Sequence, residues 1–431
     1  MPDGAHQGER ARAVLRIGGL EAAELADRFG TPLYAYDAGI LRSGFQAVRS
    51  ALGNRTEISY ALKANPSLAV SDVLRREGTL AEVASAGEIH AAISAGFTGQ
   101  DIQFAGPGKS RQEIDFAVQH GVARLNIESR GEYLLVADIS RERGVRQGVS
   151  IRVNPDQALS GARMHMGGGS QKFGVDVDQL EELVRRILDE DTVELQGLHV
   201  YGGTQCFDAS AWLKHAHALL QLANRLEKKV GCRLHTLNFG GGFGVPCYDG
   251  DPTFDLKGAG DGLQALIASD GRDDRQYHVE LGRYLVASAG VYLTRVSHIK
   301  ESGGRQIAIL DGGMHHHAAA AGIGSVMRRS FPIVACHDIE GKAASYCLGG
   351  PLCTPADEFA SAALLPELSG GDILAILGSG AYGLTFSNVL FLSHPTPAEV
   401  LVDRGLAALI RRRGSLEDSV RDQELPGEVQ P

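Results

Sequence analysis

Between about residues 55 and 285, short apolar runs alternate with longer segments that carry helix signals. The apolar runs predict buried strands at 58–63, 80–84, 101–105, 124–128, 149–154, 194–201, 236–240 and 278–283. A strand–loop–helix unit therefore recurs eight times in roughly 230 residues, which fits an eightfold β/α barrel without remainder. A doubly wound open sheet also alternates strands and helices, and the barrel is preferred because of this count.

The predicted helices carry start and stop signals of their own. Three of them open with serine followed three residues later by glutamate, a pattern that can satisfy the first backbone amides of a helix reciprocally. The pairs are Ser85/Glu88, Ser110/Glu113 and Ser129/Glu132. Two of these helices reach a glycine where a left-handed C-terminal residue belongs, Gly96 and Gly121.

After Val286 the strand–helix repeat stops, and short β-rich runs separated by glycine and proline replace it. The predicted strands are 291–298, 305–310, 344–348, 373–377, 388–393 and 399–403, a pattern typical of an all-β domain. The early segment 32–36 is expected to donate a strand, and the tail from Arg411 to form a short polar helix with a frayed end. We therefore expect an α/β, TIM-like barrel over 38–285 and a C-terminal all-β domain built from 286–431 with 1–37.

Composition narrows the possible partners. The chain has 431 residues, 43% of them hydrophobic, which is enough for two buried cores. Its formal net charge of −10 disfavours nucleic acid as a main partner, because phosphate backbones need a basic surface. We see no export signal and no apolar run that could span a membrane, so the six cysteines, which lack metal or disulfide spacing, are expected to be free thiols in the cytoplasm.

Lys63 has the most specific chemistry. It lies in the segment 58–65, where a buried strand is predicted to end, and Asn65 and Pro66 resemble the cap and first position of a helix. Desolvation at such a strand end lowers the pKa of an ammonium group, and a neutral amine can form a Schiff base with an aldehyde cofactor. A surface lysine whose charged head reaches solvent is the alternative.

Other functional side chains of a barrel are expected at the carboxyl ends of its strands. The glycines of 240–244 follow the seventh strand, where backbone amides commonly close around a phosphate. Glu280 ends the eighth strand between apolar neighbours, so its carboxylate needs a positive partner or a proton. The structural alternatives are a tight turn without ligand and a glutamate that pairs with Arg152 or Arg283.

Two histidine features are less specific. His199, near the end of the sixth strand, is expected either to stack on a flat cofactor or to be a hydrogen-bonded core residue. The three histidines of 315–317 follow the segment Asp-Gly-Gly at 311–313. Adjacent strand residues point to opposite faces, and no further ligand has metal-site spacing, so we expect a turn there and no metal site.

Taken together, the motifs between residues 30 and 410 resemble those of the fold-type III pyridoxal-phosphate decarboxylases, the diaminopimelate/ornithine decarboxylase family. The matching segments are 60–65 (Tyr-Ala-Leu-Lys-Ala-Asn), 82–85 (Glu-Val-Ala-Ser), 152–155 (Arg-Val-Asn-Pro), 172–174 (Lys-Phe-Gly), His199, 240–244, 280–283 (Glu-Leu-Gly-Arg), 350–353 (Gly-Pro-Leu-Cys) and 380–382 (Gly-Ala-Tyr). The segment 311–317 also resembles a narrower branch, which includes glutamyl–acyl-carrier-protein decarboxylases and exosortase-associated decarboxylases.

The resemblance implies pyridoxal 5′-phosphate as the cofactor. It implies that Lys63 is the Schiff-base lysine and that His199 stacks on the cofactor ring. Gly241 and Gly242 are implied to surround the phosphate. Glu280 is implied to meet the pyridine nitrogen, which keeps the ring a strong electron sink and favours decarboxylation.

The resemblance also implies contacts at the edge of the site. Gly282 is implied to border the phosphate, and Arg283 to contact the phosphate or the substrate. Cys353 and Tyr382 resemble residues that enter the active site from a second subunit. The protein is therefore expected to be a homodimer with shared active sites, in which Cys353 donates a proton after carbon dioxide leaves.

One departure from the family bears on the substrate. Diamino-acid decarboxylases have an acidic residue directly after the cysteine, which holds the distal amine, whereas Thr354 follows Cys353 here. A buried ammonium without its carboxylate partner costs roughly several kcal/mol. Asp357 is close enough in sequence to compensate, and Arg328 or Arg329 is implied to meet a substrate carboxylate.

We therefore expect a pyridoxal-phosphate-dependent α-decarboxylase, a carboxy-lyase, of an L-amino acid that is free or linked to an acyl carrier protein, with a glutamyl substrate first. A meso-diaminopimelate decarboxylase is the alternative within the family. A racemase is disfavoured because racemases of this fold hold the pyridine nitrogen with arginine, where this chain has Glu280. A catalytically inactive, partner-binding relative is the alternative of another class, and such proteins should lack Lys63 or Cys353.

Overall fold

The computed structural model describes residues 14–155, 159–160, 162–165, 172–324, 329–337 and 342–426. The chain divides into two units: a larger one of residues 40–246 and 250–287, and a smaller one that takes the N-terminal residues to 39, residues 247–249 and those from 288 onward. The smaller unit begins with β1 (Arg16–Ile17), β2 (Leu20–Glu21), α1 (Ala22–Phe29) and β3 (Leu33–Asp37).

The larger unit alternates strands and helices. Its strands are β4 (Thr56–Ala61), β5 (Leu80–Val83), β6 (Ile102–Phe104), β7 (Arg124–Ile127), β8 (Gln147–Asn154), β9 (Met164–His165), β10 (Val175–Asp176), β11 (Val193–Val200), β12 (Gly203–Thr204), β13 (Thr236–Gly241) and β14 (Gln276–Leu281). Its helices are α2 (Ala38–Leu52), α3 (Leu68–Glu77), α4 (Ala86–Ser94), α5 (Arg111–Gln119), α6 (Arg130–Arg143), α7 (Leu180–Leu188), α8 (Ala209–Val230), α9 (Leu256–Asp270) and α10 (Arg283–Val286).

A closed parallel barrel forms the wall of this unit. In the described residues its strands follow the order β8-β11-β13-β14-β4-β5-β6-β7, and β7 pairs back to β8. The eight predicted strands agree with these bounds to within two residues at each end, and the TIM-like fold class is confirmed. Because all pairs of the wall are parallel, the strand carboxyl ends meet at one rim.

The interior of the barrel is unusually polar. Ser59, Gln103 and Asn238, on three different strands, are buried and joined by hydrogen bonds of 2.9 and 3.1 Å through the side chain of Gln103. Barrel interiors are more often filled by branched apolar residues. Polar side chains therefore lead from the middle of the barrel towards the rim.

The serine half of each predicted helix cap is confirmed, whereas the reciprocal glutamate bond is found, among the described residues, at Ser110/Glu113 alone, because Glu88 and Glu132 accept the amides of Ala84 and Glu128 instead. The hydroxyls of Ser85, Ser110 and Ser129 accept hydrogen bonds from the amides three residues later. The helix start predicted at Asn65 and Pro66 is wrong, since α3 begins at Leu68. A 3₁₀ turn follows β4, and the Asn65 side chain accepts the amide of Ser67 at 3.1 Å, so it closes a turn before the helix.

The smaller unit is built around a mixed sheet. Its remaining strands are β15 (Gly290–Ser302), β16 (Arg305–Leu310), β17 (Ile333–Ala335), β18 (Ala344–Gly349), β19 (Glu358–Leu365), β20 (Ile373–Ile376), β21 (Ala398–Asp403) and β22 (Leu406–Arg411). β3 lies between β15 and β21, which confirms the strand predicted at 32–36. Leu25 and Ala26 of α1 pack on this sheet against Leu293, Ala375 and Val400.

Two predictions for this unit are wrong. The segment 388–393 contains turns and a 3₁₀ helix, with φ of +57° at Leu392 and Ser393, where a strand was predicted. The polar helix predicted from Arg411 is replaced by the end of β22 and a single 3₁₀ turn, Glu417–Ser419. None of the helices in the described ranges combines the length and the apolar character needed to cross a membrane.

Candidate active site

Lys63 lies at the carboxyl rim of the barrel, in the 3₁₀ turn Leu62–Ala64 that follows β4. Its side chain is 40% exposed, and its Nζ lies 3.5 Å from Oε2 of Glu82 on the neighbouring strand β5. The same nitrogen lies 5.3 Å from the centroid of the Tyr201 ring. The amine is thus held between a carboxylate and an aromatic face.

Glu82 is a buried carboxylate whose pKa is influenced by neighbouring charges of both signs. Burial raises the pKa of Glu82, the positive charge of Lys63 opposes this, and the negative charge of Glu280 adds to it. The net result is a carboxyl group that holds its proton more tightly than an exposed glutamate. A carboxyl group of this kind beside an amine can take up or return a proton as the amine changes its bonding.

Glu280 is the ionised carboxylate of the site. It is 4% exposed, and its two oxygens lie 2.6 Å from Nδ2 of Asn238 and 3.2 Å from Nε2 of His199. Burial raises the pKa of Glu280, but the interactions with His199, Lys63 and Asn238 outweigh it and lower the pKa to about 2. The alternative partner Arg152 is engaged elsewhere, 3.0 Å from Glu128.

Two rings of the rim, those of His199 and Tyr201, contact the charged groups of the site. His199 is 1% exposed and directs its Nε2 at Glu280, so it meets the carboxylate through its ring edge. The ring beside Lys63 belongs to Tyr201, which sequence reasoning missed. Residues two apart in a strand share a face, so the spacing from His199 at the end of β11 was the signal that could have found it.

The glycines at the end of β13 allow the backbone to pass very close to its neighbours. A Cβ atom on Gly241 would lie 1.7 Å from the carbonyl oxygen of Glu280, and one on Gly242 would lie 2.1 Å from that of Gly203. Gly242 also has a φ of +85°, which disfavours other residues. A Cβ atom on Gly282 would lie 2.9 Å from that of Ala64, so the end of β14 packs on the turn that carries Lys63.

Substitution of Gly241 by alanine is expected to lower the free energy of unfolding by about 3 kcal/mol or more, because β13 and β14 would have to separate. Gly231, the left-handed cap of α8, offers a control, since no more distant part of the described chain lies within 4 Å of its added Cβ atom. Gly231→Ala should cost only about 1–2 kcal/mol, the price of the left-handed backbone. Chemical denaturation of both variants measures the difference, and equal losses would contradict the close approach.

Comparison with known proteins decides the family. The sequence profile described as "pyridoxal-dependent decarboxylase, pyridoxal binding domain" matches residues 39–287, more than half of the chain. The chain belongs to the pyridoxal-dependent decarboxylase family. Its cofactor is pyridoxal 5′-phosphate, and it is a carboxy-lyase.

Relatives of this decarboxylase match it over nearly all of its length. It is 35% identical over 411 residues to the L-glutamyl-[BtrI acyl-carrier protein] decarboxylase of Niallia circulans, covering 94% of this chain and 96% of that protein. It is 34% identical over 426 residues to the diaminopimelate decarboxylase of Methanothermobacter thermautotrophicus, covering 96% of each. The crystal structure of diaminopimelate decarboxylase from M. jannaschi superposes with a TM-score of 0.90 at 26% identity, covering 98% of this chain and all of that one.

The barrel rim of this decarboxylase fits the cofactor. An aldehyde needs a lysine amine, and Lys63 supplies one at the rim. A protonated pyridine nitrogen needs a buried, ionised carboxylate, and Glu280 would supply one, since its pKa is lowered by neighbours that include the charge of Lys63. The glycines of 240–242 lie at the carboxyl end of the adjoining strand β13, the part of a barrel where backbone amides commonly bind a phosphate.

The other residues that the sequence singled out lie in the smaller unit. Cys353 is an exposed thiol. Thr354 is part of a turn in which its hydroxyl lies 3.3 Å from the amide of Ala356. The carboxylate of Asp357 is buried and accepts backbone hydrogen bonds from Met314 at 2.6 Å and Leu352 at 2.8 Å.

Two aromatic contacts complete this part of the molecule. Tyr382 has a φ of +53°, and its ring meets that of Phe386 edge-on at 6.1 Å. The guanidinium of Arg329 lies 4.5 Å from the centre of the Tyr248 ring. Arg328, the other arginine implied as a substrate contact, lies outside the described residues.

The three consecutive histidines are buried and form internal contacts. His316 Nε2 lies 3.0 Å from the carbonyl oxygen of Pro395, and His317 Nε2 lies 2.9 Å from Oγ of Ser379. Burial lowers the pKa of all three, to about 4 for His315 and about 3 for the other two. In the part of the chain that the structure describes, no three His, Cys, Asp or Glu side chains are arranged to hold a metal ion.

Proposed function

We propose that this decarboxylase acts on an L-amino acid whose side chain carries no amine, with a glutamyl group linked to an acyl carrier protein as the substrate. The observation that carries the proposal is the bonding of Asp357, whose two carboxylate oxygens each accept a backbone amide. Burial raises the pKa of Asp357, so a free negative charge there is disfavoured. With Thr354 in the position of the family's acid, neither residue offers a carboxylate to a substrate ammonium.

We propose that Asp357 shapes the loop beside Cys353 and does not bind the distal end of a substrate. Its carboxylate is packed so tightly that a Cβ atom on Gly313 or on Gly350 would lie 2.4 Å from it. The carboxylate therefore joins the segment after β16 to the turn after β18. The carrier-linked substrate is further supported by the Niallia circulans relative, whose name gives that activity.

The mechanism assigns one task to each residue at the rim. When bound, pyridoxal phosphate supplies the electron sink that accepts the electron pair left as the substrate's α-carboxylate departs as carbon dioxide. We propose that Lys63 supplies the amine that anchors the aldehyde, and that Glu82 holds the proton of this amine when the substrate replaces it. Tyr201 presents an aromatic face beside the amine of Lys63.

The polar end of the cofactor is held by backbone and charge. We propose that Gly241, Gly242 and Gly282 surround the phosphate and that Arg283 contacts the phosphate or the substrate carboxylate. Glu280 meets the ring nitrogen as a carboxylate, and His199 orients Glu280 through the hydrogen bond to its Oε2. In this assignment the ring edge of His199 acts on the acid, its ring face keeps the stacking role that the resemblance implies, and Tyr201 adds an aromatic face beside Lys63.

We also propose that the protein is a homodimer in which Cys353 and Tyr382 of one copy complete the active site of the other. An exposed thiol could donate a proton to the substrate carbon from which carbon dioxide has left. Residues 38–285 are proposed as the cofactor-binding domain, which the family match over 39–287 supports.

Carbon dioxide release from four substrates tests the substrate assignment. We expect the glutamyl–carrier-protein thioester to be decarboxylated at least about 10²-fold faster than ornithine or meso-diaminopimelate, given the roughly 3 kcal/mol or more that an unpaired buried ammonium costs, and also faster than free glutamate, which lacks the carrier. Faster turnover of meso-diaminopimelate would overturn it and favour the alternative that the 34%-identical relative represents. If borohydride labels Lys63 but none of the four substrates releases carbon dioxide, the inactive, partner-binding alternative would be favoured.

A further inference from the structure

We propose that Asn238 is a positioning residue that ties Glu280 to the glycine turn, so that one side chain sets both ends of the cofactor site. The inference rests on the proposed roles of Glu280 and the glycines. Asn238 lies on β13 inside the barrel, and it is 2% exposed. It matches none of the residues to which the family resemblance assigns a role.

The amide of Asn238 is engaged at both of its ends. Its Nδ2 donates to Oε1 of Glu280 at 2.6 Å and to Oε1 of Gln103 at 3.1 Å. Its Oδ1 accepts the backbone amide of Gly240 at 2.9 Å. Asn238 and His199 therefore hold one oxygen of Glu280 each, and together they fix the rotation of the carboxylate.

The hydrogen bond to Gly240 also shapes the strand end. Asparagine side chains that bond to the backbone two residues on form tight local turns. In register, Asn238 lies opposite His278 and Gly241 lies opposite Glu280, so β13 advances three residues while β14 advances two. The extra residue is a β-bulge, a feature that re-aims the backbone after it.

The backbone at the bulge is closely packed and cannot take another course. Gly240 has a φ of +66°, and a Cβ atom there would lie 2.4 Å from the carbonyl oxygen of Val200. The turn is thus held from outside by packing and from inside by the Asn238 side chain. The side chain at this position has to donate a hydrogen bond to Glu280 and accept one from Gly240 at the same time. An amide can do both, whereas an ionised carboxylate or an alkyl group cannot.

Three variants separate positioning from packing. Asn238→Ala removes both contacts, and Asn238→Asp keeps the acceptor for Gly240 but places a second acid against Glu280. Asn126→Ala is the matched control, because Asn126 is a fully buried asparagine on β7 whose side-chain atoms have no hydrogen-bond partner among the described residues. The readouts are the dissociation constants of the apo-proteins for pyridoxal phosphate and for pyridoxal, which lacks the phosphate, and the unfolding temperature.

We expect Asn238→Ala to bind pyridoxal phosphate at least tenfold more weakly than wild type does. Its preference for pyridoxal phosphate over pyridoxal, measured as the ratio of the two dissociation constants, should also be smaller than that of wild type. Asn126→Ala should stay within twofold in both constants, although its unfolding temperature falls as well. Asn238→Asp should keep the wild-type preference for the phosphate. Its affinity relative to wild type should rise at least fivefold from pH 8 to pH 6, because one proton shared by the two acids restores the hydrogen bond to Glu280.

Equal affinities of the two alanine variants would overturn the inference, since Asn238 would then contribute only to packing. A weaker Asn238→Ala with an unchanged preference for the phosphate would overturn the link to the glycine turn. The proposed function is checked separately on the wild-type protein by borohydride reduction. If the wild-type protein takes up no label at Lys63, the proposed function is wrong. If it is labelled but Asn238→Ala and Asn126→Ala bind pyridoxal phosphate equally well, only the inference about Asn238 is wrong.

Discussion

Replacement of Lys63 by alanine is expected to abolish covalent attachment of pyridoxal phosphate and to slow decarboxylation by about 10³-fold or more. The amine of Lys63 has a carboxylate at 3.5 Å and an aromatic ring at 5.3 Å, which suits a lysine that alternates between the cofactor and a proton partner. Lys109 is not a substitute, since its buried Nζ is already bonded to Glu132, at 2.5 Å, and to two backbone carbonyls.

Reduction of the loaded protein with borohydride, followed by peptide mass analysis, measures the attachment directly. Wild type should carry the reduced cofactor on the peptide that contains Lys63, and Lys63→Ala should carry none. Lys63→Arg keeps the positive charge beside Glu82 but cannot form an imine, so it should also be unlabelled while it retains the unfolding temperature of wild type. Lys214→Ala, at an exposed position of α8, is the control and should label and turn over normally. Label on another lysine together with an unchanged rate would refute the assignment.

The barrel could be predicted from the sequence because its signals are local. Strands buried on both faces read as continuous apolar runs, and serine caps mark the starts of the following helices. Each signal depends on neighbouring residues alone, and its recurrence in eight units makes the prediction of a barrel more specific. The smaller unit lacks such a repeat, and its errors fall where non-local pairing decides the structure.

The two kinds of error in the smaller unit have opposite causes. The segment 358–365 is rich in alanine, a weak strand former, and it becomes β19 through antiparallel pairing with β18. The segment 388–393 contains Val389, Leu390 and Phe391, which suggest a strand. Leu390 is nevertheless 75% exposed, and no strand pairs with this segment in the described residues. Hydrophobicity alone cannot tell a buried run from an exposed one.

For the site, the sequence placed Lys63, the glycines and Glu280 at strand ends, and the structure brings them to one rim. It could not show that His199 contacts Glu280 or that Tyr201 lies beside Lys63, because these contacts join different strands and turns. It also missed Asn238, whose importance lies in contacts with Glu280 and Gly240. Contacts between strands depend on register, which periodicity does not report.

Replacement of Glu280 by glutamine is expected to reduce decarboxylation by roughly 10²–10³-fold, the range seen when one preorganised electrostatic group is removed from an active site. Glutamine keeps the shape and can still bond to Asn238, but it carries no charge to hold the cofactor's ring nitrogen protonated. Labelling of Lys63 by borohydride should persist, since Lys63 and Glu82 are unchanged. Retention of the wild-type rate would show that the ring nitrogen does not depend on this acid.

Acid stability gives a second, cofactor-free measurement of the same carboxylate. The pKa of Glu280 falls from 4.5 to about 2 in the folded apo-protein, so its contribution to stability is complete above about pH 4.5 and is lost as the pH falls towards 2. In Glu280→Gln, the free energy of unfolding should therefore decrease less between about pH 4.5 and pH 2 than it does in wild type. Glu57→Gln is the matched control, because Glu57 lies on β4 opposite His278, two residues below the pairing of Ser59 with Glu280. This control should keep the wild-type rate and acid transition, and an identical change in both variants would assign the effect to the barrel as a whole.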